Sequence, residues 1–265
     1  MFIPAHRIEG EAGAPHIAFV LHGIFGSLRN WRGMAQHMVR RHPDWRLVLV
    51  DLRNHGDSVG APPPHTVAAC ADDLARLASQ LGAPPELIIG HSFGGKVALA
   101  YARDHGPART WVLDAVPGLS APVAGEVEGV LRALRAVPVP VPRRDAVAHA
   151  LKAGGFSEAI AQWMTTNLRP EGEGYLWRFD LDAIEEMLAD YARVDFVPWL
   201  RATDAEVHLV RGARRDRWTP PALAELDGLP PNVHLHVLPD AGHWVHVDNP
   251  MGLLDLLDEG FAGQV

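Results

Sequence analysis

Gly90-His91-Ser92-Phe93-Gly94 sets a serine between two glycines, after the apolar run Glu86-Leu87-Ile88-Ile89 and before the helix-like stretch Val97-Ala98-Leu99-Ala100-Tyr101-Ala102. A serine on such a strand-to-helix turn is held at strained backbone angles, and side chains at the flanking positions would clash. The turn lifts Oγ to the sheet edge and aims a helix N-terminus at any anion formed there. That is the chemistry of a nucleophile in acyl transfer. The plainer reading of the same five residues is a glycine-rich turn, so the rest of the chain has to supply the partners.

An acyl-transfer serine needs a base, an acid behind it and donors for the oxyanion, all at the carboxyl ends of parallel strands. His243 fits the base, because it sits late in the chain in Ala241-Gly242-His243, after the last strand-like run. Of fifteen histidines, His22 and His55 each precede a glycine and read as holders of loop backbone. Alternation points His91 away from the nucleophile, and His246 is expected on a different face from His243. The oxyanion donors are expected to be main-chain N–H groups of Phe93 and of Ile24, with Phe25 next in line. Two aspartates compete as the acid: Asp114, ending the strand after the serine helix, and Asp216, in Arg214-Arg215-Asp216-Arg217. Asp216 could instead pair with its neighbouring arginines, and Asp114 could cap the turn at Pro117-Gly118. Asp51 and Asp57 read as supports of the loop Arg53-Asn54-His55-Gly56.

The elements that must position these residues follow from patterning. Continuous apolar runs at Ile17–Leu21, Arg46–Asp51, Glu86–Ile89 and Thr110–Asp114 read as strands covered on both faces. Between them, helices are predicted from about Leu28 to Arg41, from a Thr66 cap to Leu81, and after Ser92. This βα alternation predicts an α/β fold with a mostly parallel, doubly wound sheet. From Pro117 to about Pro198 no good strand is expected, only helices near 123–136, 143–153, 157–167 and 180–192. Val137-Pro138-Val139-Pro140-Val141-Pro142 would space the first two. The reading is a core of residues 1–117 and 199–265 with a helical cap inserted at 118–198. Phe156, Trp163, Met164, Tyr175, Trp177 and Phe179 could line a pocket there or pack the cap. Strands resume at Ala205–Val210 and Val233–Leu238, and Pro250–Phe261 reads as a closing helix.

At 265 residues the chain can bury a large core, and its formal charge of −8 is dispersed. Nucleic acid and anionic membrane surfaces are therefore not expected partners. No segment approaches the roughly 20 apolar residues of a membrane span. A lone Cys70 excludes an intramolecular disulfide and reads as a small core residue. A cytoplasmic protein is expected, with no cofactor. No histidine, cysteine or carboxylate set has metal-ligand spacing, so no metal is expected either.

The assembled strings resemble an α/β-hydrolase, and within it a branch of small esterases that includes bacterial acyl-ester and acyl-thioester hydrolases with mitochondrial and plant relatives. The resemblance is carried by His22-Gly23-Ile24-Phe25-Gly26-Ser27, Asp51 to Ser58, Gly90 to Lys96, Leu113-Asp114-Ala115-Val116-Pro117-Gly118 and Ala241 to His246. In the cap, Thr166-Asn167-Leu168 and Trp177 to Asp182 match in outline, so it spans nearly the whole chain. Across the superfamily the acid usually follows the penultimate strand, which would be Asp216. In this branch the acid matches Asp114, and the resemblance favours it.

The resulting expectation is a cofactor-free serine esterase, acting on small or medium carboxylic esters or on thioesters through an acyl-enzyme. Carbon–carbon bond hydrolysis, perhydrolysis or a lyase step would use the same residues. A ligand-binding protein on the same fold is the non-enzymatic alternative.

Overall fold

The computed structural model describes residues 2–106, 109–120, 126–214 and 217–262. Its centre is a seven-stranded sheet in the order β1-β3-β2-β4-β5-β8-β9. The strands are β1 (His6–Glu9), β2 (His16–Leu21), β3 (Trp45–Val50), β4 (Leu87–His91), β5 (Arg109–Leu113), β8 (Val207–Gly212) and β9 (Val233–Leu238). Only β1 runs antiparallel, against β3, and the other pairs are parallel. The doubly wound, mostly parallel sheet expected from the alternation is present.

The crossovers that follow β2, β3 and β4 are helical, and the helices cover both faces of the sheet as the two-sided apolar runs demand. On one face α2 (Val67–Leu81) and α3 (Phe93–His105) pack Val67, Leu74 and Val97 against Phe19, Val50 and Val112. On the other, α1 (Arg32–Arg41) and α11 (Pro250–Phe261) pack Met38, Leu253 and Leu257 against Val20, Leu49 and Trp111. Helix α2 begins at Thr66, whose side chain accepts the Ala69 N–H, and ends at Gly82 in the left-handed region at φ 80°.

Between β5 and β8 the chain leaves the sheet. It forms α4 (Glu126–Arg135), α5 (Arg144–Ala153), α6 (Glu158–Thr165), α7 (Leu181–Arg193) and the short α8 (Val197–Leu200). Helices α4 to α7 share an apolar cluster, joined by Phe25 from the loop after β2, with Leu134, Val147, Met164 and Ile184 fully buried, whereas Val197 and Leu200 of α8 pack into the sheet core. One expectation fails in this stretch. Residues 117–198 contain a strand pair, β6 (Leu168–Glu171) and β7 (Gly174–Trp177), joined by a two-residue turn with Gly172 at φ 55°. Four-residue strands, one holding Pro170, carry too weak an alternation to be seen. The Val-Pro spacer borders this hairpin, since Val141 exchanges both main-chain hydrogen bonds with Tyr175 at 2.7 and 2.8 Å. The short helices α9 (Pro220–Ala224) and α10 (Val245–Asp248) were also not expected.

Candidate active site

At the carboxyl end of β4 the chain reverses into α3 through Ser92, at φ 53° and ψ −117°. That strained conformation survives because its neighbours over-determine it. The Ser92 N–H donates to Leu113 O at 2.8 Å, and Ser92 O accepts from Gly95 N at 2.8 Å. Both flanking glycines are required by contact. A Cβ on Gly90 would stand 2.1 Å from Gly94 O, and one on Gly94 would stand 2.5 Å from His22 O.

Asp114, one residue past β5 on the neighbouring strand, takes a left-handed φ of 48°. The bend points its carboxylate at the histidine loop. Oδ2 lies 2.7 Å from His243 Nδ1, while Oδ1 accepts from the Trp218 indole at 2.8 Å and from Gly212 N at 3.3 Å. An acceptor-only carboxylate favours a proton on Nδ1, so that in the neutral tautomer Nε2 is the ring nitrogen able to accept one. Ser92, His243, Ile24 and Phe93 line one pocket. Asp216, the rival acid, lies outside the described residues. Trp218 was not predicted; it falls in the same arginine-rich string, and nothing in that string marks an indole aimed 104 residues back in the chain.

The loop after β2 is fixed from three sides. His22 donates from Nδ1 to Gly23 O at 2.8 Å and accepts the Leu52 N–H on Nε2 at 3.0 Å. His55 donates to Arg53 O at 2.9 Å and accepts the Phe25 N–H at 3.3 Å. Burial pushes His22 down to about 4, and burial with the neighbouring His22 pushes His55 down to about 3, so both stay neutral. From the inserted segment, Asn167 Nδ2 donates to Phe25 O at 2.8 Å. Phe25 therefore has its N–H engaged by His55. Among the described residues the Ile24 and Phe93 amides have no protein acceptor. Asp51 supports the loop as expected, accepting Leu28 N and Asp57 N at 2.7 and 2.8 Å, whereas the Asp57 carboxylate pairs with Arg178 of the inserted segment.

Two histidines differ from expectation. His91 is buried in the pocket wall, its ring 4.8 Å from that of His243, and Nε2 donates to His243 O at 2.8 Å. The strict alternation that would turn it away breaks down at the elbow, where β4 ends. His246 stacks on Trp31 at 4.7 Å and packs edge-on to His91 at 4.9 Å, because the chain after His243 winds into α10. Burial pushes its pKa down to about 4.

Apolar walls complete the pocket. Val127 and Val130 of α4, Ile160 and Trp163 of α6, and Leu188 and Tyr191 of α7 face it. Trp163 meets Trp244, beside His243, edge-to-face at 4.5 Å. Beneath this wall the buried Lys96 ammonium donates to Gly118 O, Tyr191 O and Val194 O at 2.7–2.9 Å, tying α7 to the serine helix. Burial pulls its pKa down to about 8.

The family model of the α/β hydrolase fold matches residues 19–250. The chain is 34% identical over 262 residues to the sn-1-specific diacylglycerol lipase ABHD11 of Mus musculus, covering 96% of this chain and 83% of the relative. Esterase YbfF of Escherichia coli (strain K12) is 26% identical over 251 residues, 89% of each chain. Among solved structures, a marine microorganism esterase shares the fold with a TM-score of 0.82 at 23% identity, over 98% of this chain and 99% of that one. The chain belongs to the α/β-hydrolase fold family, as an ester hydrolase of the esterase type.

Proposed function

We propose that the protein hydrolyses carboxylic esters through an acyl-enzyme on Ser92, with His243 as base, Asp114 as the acid behind it, and the Ile24 and Phe93 amides as oxyanion donors. The observation that carries this reading is the 2.7 Å contact of His243 Nδ1 with Asp114, in a pocket shared with a strained Ser92. His243 Nε2 takes the Ser92 proton as Oγ attacks the acyl carbon, and the two amides bind the oxyanion. The alcohol leaves with that proton. Water, deprotonated by His243, then cleaves the acyl-serine bond and regenerates the serine. A thiol leaving group would follow the same path, so thioesters belong to the same proposal.

Residues 118–198 act in this reading as a lid over the acyl group. Its support is the apolar wall from α4, α6 and α7, which suits small or medium acyl chains. No described helix is long and apolar enough to cross a membrane. A cytoplasmic setting is part of the proposal; the buried Cys70 has no second cysteine in the chain with which to form an intramolecular disulfide.

The test is a panel of p-nitrophenyl esters graded by acyl length, with acyl thioesters and diacylglycerol as further arms. A serine-directed phosphonate should label Ser92 and abolish turnover. Absence of labelling in the folded protein, or labelling at another serine, would overturn the assignment.

A further inference from the structure

Toward the amino ends of the last two strands, away from Ser92, β8 and β9 gather histidines on one face. His208 and His234 are cross-strand partners, and His236 follows two residues on, so alternation puts its side chain on the same side. The His208 ring lies flat on the Trp111 indole, with centroids 4.0 Å apart and planes at 6°. Its Nε2 is 2.9 Å from Glu206 Oε1. A carboxylate only accepts, so Nε2 carries the hydrogen and Nδ1 of the neutral ring is left with a lone pair. That lone pair faces His236 Nε2 at 2.9 Å.

The third group comes from α11. A Glu259 carboxylate oxygen and one ring nitrogen each of His208 and His236 lie within 4.8 Å of one another. The helix can come this close because Gly260 has no side chain, and a Cβ there would stand 2.5 Å from Trp111 Nε1.

We propose that His208 Nδ1, His236 Nε2 and Glu259 form a binding site for a zinc-class divalent ion, with water as fourth ligand and Glu206 orienting His208. Two imidazoles and one carboxylate suit zinc, whereas calcium and magnesium take oxygen ligands. Tetrahedral zinc with ligands at about 2.0–2.1 Å wants donor atoms roughly 3.3 Å apart. From the observed 2.9 Å between the imidazole nitrogens and up to 4.8 Å within the set, this asks a spread of about 0.4 Å and an approach of up to about 1.5 Å, which the exposed Glu259 side chain can supply. The carboxylate–histidine–metal relay through Glu206 is the usual way a ligating imidazole is oriented. The ion would staple β8, β9 and α11, so its effect is on stability. Nothing in the sequence spacing of residues 206, 208, 236 and 259 announces the site; parallel register and the return of α11 create it.

The test uses the full chain, stripped with EDTA and dialysed, titrated calorimetrically with ZnCl2 and with MgCl2, alongside Glu259→Gln, His236→Gln and Glu206→Gln. Expected is one saturable zinc site and no magnesium binding. Zinc affinity should fall at least tenfold in the two ligand variants and 10–100-fold in Glu206→Gln. Zinc should raise Tm of the parent, not of the ligand variants, with ester turnover unchanged in all. Tetrahedral visible absorption on cobalt substitution, lost in the same variants, would support the ligand set. No saturable site, or equal zinc affinity in parent and ligand variants, would overturn the proposal, as would loss in His236→Gln but not Glu259→Gln.

Discussion

The imidazole of His91, the residue before Ser92, donates its Nε2 hydrogen to the main-chain carbonyl of His243 at 2.8 Å. One short contact thus links the turn that carries Ser92 to the loop that carries His243. His91 makes it in a neutral form, since burial and the nearby His243 and His246 hold its pKa well below the ordinary value. Loss of this donor, in His91→Phe, removes a hydrogen bond worth about 1 kcal/mol. The kcat of ester hydrolysis should fall roughly fivefold to tenfold with KM little changed. An unchanged kcat would show that the His243 loop holds itself.

The acid assignment separates cleanly by substitution. Asp114→Asn should keep the fold and lower kcat by on the order of 10⁴, as loss of a triad acid does. Asp216→Ala should cost less than about tenfold, well short of that loss. Steady-state kinetics on one p-nitrophenyl ester decides it; the reverse ranking would make Asp216 the acid. Ser92→Ala should lower kcat by on the order of 10⁶.

Asn167 reaches from the inserted segment to the Phe25 carbonyl at 2.8 Å, in the loop that presents the Ile24 amide. Asn167→Ala leaves that buried carbonyl short of a donor, at a cost of about 1–3 kcal/mol. Thermal unfolding should show a lower Tm. If the loop supplies an oxyanion donor, kcat should fall more than KM rises. A Tm change with kcat intact would confine Asn167 to packing.

Acid should destabilise the protein through its neutral histidines. The folded pKa of His22 is about 4, of His55 about 3 and of His246 about 4, each below an ordinary value of 6.5. Below pH 6.5 the unfolded chain binds protons that the folded chain refuses. The stability they contribute is therefore complete above pH 6.5 and lost as pH falls toward 4. Each group adds a slope of up to about 1.4 kcal/mol per pH unit. Urea unfolding at pH 7.5, 6.0 and 5.0 should show a steep decline over the lower interval. A flat profile would contradict the burial assigned to these rings.

The order of the parallel strands and their crossover helices, and the turn at Ser92, are local properties legible in the chain itself. Two-sided apolar runs mark buried parallel strands, and the glycines at 90 and 94 mark a turn that tolerates no Cβ. His243 could be singled out because it follows the last strand. What the chain could not announce depends on contacts across long separations. The hydrogen bonds of Asp114 to Trp218 and His243 span 104 and 129 residues, and the pairing of β5 with β8 and of β8 with β9 brings those groups together. The β6–β7 hairpin was hidden by its shortness and by Pro170. His91 and His246 both line the pocket, against simple alternation, because strand geometry ends where the chain turns. The 206–208–236–259 cluster exists only through the register of β8 on β9 and the return of α11. Local patterning sets which element forms, because it acts within one strand or helix. Which side chains meet is set by packing between elements, and that only the folded chain decides.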